Sequence, residues 1–400
     1  MPDLLKISFI FIIIVLLLKK KLNVGIVLLI AACVLFLLYQ MSFASIGKTC
    51  KGALTNSVTI KLILALSFIR IFEMILREHA VLAQMMNAVK AILKNRKLVI
   101  ISMPLLIGLM PSIGGAYFSA PMVAETTRDT KMSAEEKGFI NYWFRHPWEY
   151  ILPLYPGILL ASAISKIELY SLITANLTYA ILMLLTGFVF AMRGVKGGIK
   201  TESSFSKKGI WSFFPIVTVL LLVFIFRIEL HYALIGVVIF LLLFYKYNLK
   251  SIFSAFKYGF SFEVIILILG VMIFKEAMEY SGAVKNLSQF LIKEGIPLFP
   301  LLFFLPFITG LLTGITVGFV GSTFPLVISL AGNVSIEAIS FAFASGFLGV
   351  LLSPVHVCLI LTKEYFKADM WVMYYKKVIP ACVFVFCGAI LEYVILRGGI

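Results

Sequence analysis

Residues 98–123 read Leu-Val-Ile-Ile-Ser-Met-Pro-Leu-Leu-Ile-Gly-Leu-Met-Pro-Ser-Ile-Gly-Gly-Ala-Tyr-Phe-Ser-Ala-Pro-Met-Val. The stretch is apolar but is cut midway by Pro111-Ser112-Ile113-Gly114-Gly115. Residues 296–331 are interrupted in the same manner by Thr313-Gly314-Ile315-Thr316-Val317-Gly318. A helix crossing a bilayer needs about 20 continuous residues. Each stretch is therefore expected to form two half-length helices joined at the turn, a re-entrant hairpin that enters and leaves on one side.

The surrounding chain calls for a bilayer. Of 400 residues, 61% are hydrophobic and 14% charged, with mean hydropathy +1.05. A soluble domain has about 45–50% apolar and about 25% charged residues and leaves part of its chain against water. The net charge of +16 does not indicate a nucleic-acid partner. Its lysines and arginines fall in short clusters between apolar runs, at Lys19–Lys21, at Lys90, Lys94, Arg96 and Lys97, and from Arg193 to Lys208, the pattern of cytoplasmic loops. Five cysteines without a CxxC pair give neither a disulfide framework nor a zinc motif. The apolar run Ile7–Leu18 precedes its lysines, whereas a secretory signal has its charge first, so it reads as a first crossing.

Crossing-length or nearly crossing-length runs occur at 4–18, 22–39, 57–77, 139–163, 169–192, 211–226, 230–247, 261–280, 335–366 and 377–396. Residues 80–97 and 283–294 read as amphipathic surface helices, and 43–55 with 249–258 as a second such pair. Landmarks recur roughly 200 positions apart: Ser57 with Ser261, Glu73 with Glu276, Ala80 with Ala283, Gly108 with Gly310, Pro121 with Pro325, and Pro147 with Pro354. The expected fold is an all-α polytopic membrane protein of two repeats, each with about five crossings, a hairpin and a broken helix. An odd number of crossings per repeat inverts the second repeat. Lysine placement then puts both termini outside.

Non-helical backbone at membrane depth is tolerated only inside protein or beside a wet cavity. Besides the two turns, breaks are expected at Arg145-His146-Pro147-Trp148-Glu149 and Ser353-Pro354-Val355-His356. The half-helix ends offer N–H groups to anions and carbonyls to cations. Ser112, Gly114, Gly115 and Ser119 near the first turn, and Thr309, Thr313, Gly314, Thr316, Gly318, Ser322 and Thr323 near the second, present carbonyl and hydroxyl oxygens suited to sodium. Arg145 at depth is a counter-charge for an anion, and Glu149 a partner for it or a proton carrier; at a helix end Arg145, His146 and Glu149 simply reach the headgroups. His356 reads equally as a ligand or a packing residue. Glu73, three residues after Arg70 and four before Arg77, suggests a local ion-pair ladder, with coupling by Glu73 or Glu276 as the other reading. Gly and Pro also serve close packing in membrane helices. No Walker A, HExxH or G-x-S-x-G pattern occurs, so an enzyme is not expected.

Residues 110–123, Arg145–Tyr150 and Ser353–Thr362 resemble an uncharacterised family of prokaryotic integral membrane proteins grouped with the ion transporter superfamily. Its relatives include divalent anion/sodium symporters and gluconate and citrate permeases. The resemblance covers nearly the whole chain. It implies a dimerising scaffold, roughly 1–97 and 204–294, and an elevator-like transport part, roughly 98–203 and 295–400. The transport part would hold hairpins 98–123 and 296–331 and broken helices 139–163 and 335–366. Characterised symporters carry Ser-Asn-Thr at these tips and breaks; here the tips depart from that motif and read Pro-Ser-Ile-Gly-Gly and Thr-Gly-Ile-Thr, so the resemblance by itself fixes neither the coupling ion nor the substrate. The expected function is secondary transport of a small anion such as a carboxylate, driven by sodium or protons, in the cell membrane. No cofactor is expected. The rivals are a cation/proton antiporter and, more distantly, a membrane enzyme or non-transporting subunit.

Overall fold

The computed structural model describes residues 3–93, 95–111, 115–192, 207–283, 286, 289, 293–295, 297–331 and 335–398. Among them the chain is all-helical, with no strand. Ser112 and Gly114 of the first turn, most of the basic cluster 193–208, and much of the amphipathic stretch 283–294 lie outside the described residues.

Among the described residues three helical segments are long and apolar enough to cross a membrane: Leu169–Ala191, Leu249–Tyr280 (Leu249–Gly259 running on into Phe262–Tyr280) and Met370–Ile395. Several other apolar runs form shorter helices, such as Val24–Leu38, Leu230–Phe244 and Leu298–Thr313. Ser57–Glu78 has 22 residues but carries Lys61, Arg70, Glu73, Arg77 and Glu78. Large apolar side chains including Ile12, Leu37, Phe240, Leu243, Phe304 and Phe384 are exposed on the outside. Soluble monomers rarely display such a surface, and it fits a membrane-associated chain.

The short polar helices form where sequence predicts them. Ser42 and Asn248 accept backbone N–H bonds that start Phe43–Thr55 and Leu249–Gly259. Each is followed almost at once by an apolar helix, Ser57–Glu78 or Phe262–Tyr280. Packing crosses between the early and late halves in exchanged pairs. Val24–Leu38 and Phe43–Thr55 lie on Phe262–Tyr280, while Leu230–Phe244 and Leu249–Gly259 lie on Ser57–Glu78. Gly115–Thr126 packs on Val357–Phe366, and Thr316–Ala331 on Pro156–Ser165.

Both interrupted stretches are helix pairs. The first comprises Arg96–Gly108 and Gly115–Thr126, the second Leu298–Thr313 and Thr316–Ala331. The second arm pair is seated on Ile336–Leu351 by backbone proximity: a Cβ on Gly349 would stand 2.1 Å from the Phe307 carbonyl oxygen. Small residues permit this approach. Near the C-terminus, Pro380 has no N–H to bond the carbonyl of Lys376. The helix widens there into a π-turn over Tyr374–Val378.

Candidate functional site

The first break is longer than the sequence suggested. Ala134–Trp143 starts from a capping box between Ser133 and Glu136 and stops before Pro147. A single turn, Trp148–Ile151, follows, and the helix resumes at Pro156–Ser165. Pro153 and Pro156 cannot donate to the preceding turn, so Leu152–Tyr155 forms an additional interruption. The opened segment is locked to the first hairpin: Trp148 Nε1 donates to the Leu105 carbonyl at 2.8 Å, and Tyr155 donates to that of Gly108 at 2.6 Å. Both carbonyls belong to the last turn of Arg96–Gly108, where intrahelical donors run out.

The second break has the predicted position. Ile336–Leu351 ends before Ser353 and Pro354, and Val357–Phe366 begins with His356 at its N-cap. The hydroxyls of Tyr142 and Tyr374 donate to the end carbonyls of Leu351 and Leu352 at 2.8 and 3.2 Å.

The second hairpin turns at Gly314, whose φ of +64° favours glycine. A Cβ there would also meet the His356 backbone and the Ser353 Oγ at 3.0 Å. This tip meets both breaks. His356 Nδ1 lies 2.7 Å from the Gly314 carbonyl oxygen, and the Thr316 hydroxyl donates to Glu149 Oε2. His146 Nδ1 lies 2.6 Å from the Tyr142 carbonyl oxygen, while its Nε2 stands 3.0 Å from His356 Nε2. His146 is 1% exposed and Arg145 3%, so neither reaches out to headgroups.

These groups border a cavity of about 690 Å³. One wall consists of Pro111, Arg145, Glu149, Tyr155, Gly314, Thr316, His356 and Cys358. The other comes from Ser57–Glu78 and Leu249–Tyr280, through Arg70, Glu73, Arg77, Tyr258 and Glu263, with Lys21 at the margin. Its cations are Lys21, Arg70, Arg77 and Arg145; its carboxylates are Glu73, Glu149 and Glu263. Glu73 pairs with Arg77 at 3.7 Å, as the spacing suggested. Arg70 turns elsewhere, donating to Ser261 Oγ at 3.0 Å and lying 4.6 Å from the Tyr258 ring centre. Glu276 instead lies 3.7 Å from Lys275.

Several predicted oxygens serve the helices themselves. Thr309, Thr313, Ser322 and Thr323 donate to the carbonyls of Leu305, Thr309, Gly318 and Phe319, a common way to satisfy a hydroxyl in a helix. Gly318 sits beside Thr313. Gly115 begins a helix arm, and Ser119 donates to Asn141 Oδ1 at 2.6 Å. Ser353 Oγ accepts from Val355 N at 3.4 Å, Pro354 is exposed, and Pro147 caps the single turn. Thus the cavity gathers Arg145, Glu149, Gly314, Thr316 and His356, with His146 bonded just behind.

Asn141, Tyr142, Tyr155, Tyr258 and Cys358 were not singled out from sequence. Asn141 is a buried amide in an apolar run, a recognisable signal. Cys358 follows His356 by two positions at a break, but its proximity to His146 comes from the tertiary fold.

The family model described as "Protein of unknown function (DUF401)" matches residues 4–395, and the chain belongs to that family. No curated protein matches it.

Proposed function

We propose that this family member is a multi-pass membrane protein and a secondary transporter of a small anion, such as a carboxylate, coupled to sodium or protons. The observation that carries the reading is the meeting of two helix breaks and a hairpin tip at one charged cavity. Discontinuous helices that present backbone ends to a central site are a recurring device of transporters. The excess of cationic over acidic side chains around the cavity favours an anion.

We read the crosswise packing as the mark of two inverted repeats. Helices 57–78 and 249–280 would belong to a scaffold that pairs with a second copy, and the hairpins and breaks to a moving part. Both termini are assigned outside the cell membrane by the lysine distribution. The antiporter reading draws on the nearly buried carboxylates of Glu73 and Glu276.

The test is uptake by purified protein in liposomes across a panel of carboxylates, with sodium and pH gradients imposed separately. Uptake of an anion under one gradient is expected. Folded protein that moves none under either gradient overturns the anion reading.

A further inference from the structure

The carbonyl oxygens of Tyr142 and Gly314 lie 2.6 and 2.7 Å from the Nδ1 atoms of His146 and His356. A carbonyl only accepts, so each Nδ1 carries its ring's proton. In two neutral imidazoles both Nε2 atoms then present lone pairs, and these face each other at 3.0 Å. Two lone pairs at that distance repel unless an electrophile lies between or beside them.

Cys358 supplies a third donor. Its Sγ and the ligand nitrogens of the two histidines all lie within 4.8 Å of one another. Cys358 occupies the first turn of Val357–Phe366, where free N–H groups favour a thiolate. Glu149 stands beside this group of three, with Oε1 3.9 Å from His146 Nε2, within reach of becoming a fourth donor. Its other oxygen is held by the Thr316 hydroxyl. Both imidazoles and the carboxylate are therefore oriented from behind by a second hydrogen bond, the arrangement that fixes metal ligands.

We propose that His146, His356, Cys358 and Glu149 form a binding site for a divalent metal ion of the zinc class. Imidazole and thiolate donors select such ions over magnesium or calcium. Ligand nitrogens about 2.0–2.1 Å from a tetrahedral zinc stand roughly 3.3 Å apart, so the observed 3.0 Å between the Nε2 atoms needs only a few tenths of relaxation. Metal binding releases the Cys358 proton to solvent, and the thiolate and carboxylate charges cancel that of the ion. That neutrality lets a divalent cation sit beside the Arg145 guanidinium on the same cavity wall. A proton shared between the imidazoles would relieve the lone pairs, but it would leave the converging thiol and carboxylate without a role. The site does not depend on the chain being a transporter.

The experiment uses the full chain in detergent, stripped by a chelator and titrated with cobalt(II). One ion per chain is expected, with tetrahedral d–d bands and a thiolate-to-cobalt charge-transfer band in the near ultraviolet. C358S, which keeps the side chain's shape, should abolish the charge-transfer band and weaken cobalt binding at least about tenfold, with H146Q weakening it similarly while retaining the band. Wild-type protein that binds no cobalt, or binds it without the charge-transfer band, overturns the proposal and leaves the shared proton as the account of the pair. Because no membrane gradient enters this measurement, failed uptake in liposomes leaves its outcome untouched.

Discussion

Asn141 Nδ2 donates to Thr362 Oγ1 at 2.9 Å, joining side chains 221 positions apart. The same amide donates to the Ala116 carbonyl at 3.0 Å and accepts from Ser119 at 2.6 Å. One fully buried residue thus ties the first hairpin and the helix after the second break to the helix before the first break. N141A leaves these partners unsatisfied. Interhelical bonds in membrane proteins contribute about 0.6 kcal/mol each on average, so a loss of about 1–2 kcal/mol is expected. Thermal unfolding in detergent should show a lower midpoint for N141A; an unchanged midpoint removes Asn141 from this role.

Gly314 is expected to tolerate no side chain. Alanine at positive φ costs about 1–2 kcal/mol, and its Cβ would press on the His356 backbone at 3.0 Å. G314A should remain folded yet lose most of its uptake in the liposome assay, because the tip can no longer seat on the second break. Uptake equal to wild type would show that the seating is dispensable.

E149Q tests charge with little change of shape. The amide oxygen can still accept from Thr316, but the cavity loses one carboxylate. Driven anion uptake is expected to fall by at least about tenfold, equivalent to about 1.4 kcal/mol or more. Retention of full uptake removes Glu149 from the coupling role.

At the start of Ala134–Trp143 the Ser133 hydroxyl and the Asp369 backbone N–H hold the Glu135 carboxyl below its ordinary range. Its folded pKa is depressed, so the unfolded chain binds more protons in the intervening window, and stability rises with pH there. The contribution is complete above about pH 5.5 and fades as pH falls through the folded value. E135Q should therefore melt below wild type at neutral pH, and the difference should shrink as the pH is lowered through the carboxylate range. A difference that persists at acid pH would assign the effect to packing.

The turns and breaks were legible because Gly and Pro write backbone constraints directly into sequence. Gly314 and Pro354 mark their positions without reference to the rest of the chain. The extra interruption at Leu152–Tyr155 was hidden because Pro153 and Pro156 stand in a run apolar enough to read as one crossing. Arg70 was misassigned to Glu73 for a different reason. Helical spacing predicts neighbours on one helix, whereas Ser261 and Tyr258 reach Arg70 from a helix nearly 200 positions away. Cys358 was obscured in the same way, since its significance depends on His146, brought beside it by the tertiary fold.

The contacts of the second hairpin tip also bear on biosynthesis. Glu149 meets its hydroxyl partner only when Thr316 arrives, and His146 meets its opposite ring only when His356 does. A nascent chain that has emitted its first half therefore holds an unfinished site, in which Glu149 and His146 lack these partners. Translation must deliver the last quarter of the polypeptide before those groups are matched. Chains released early would keep those groups unmatched.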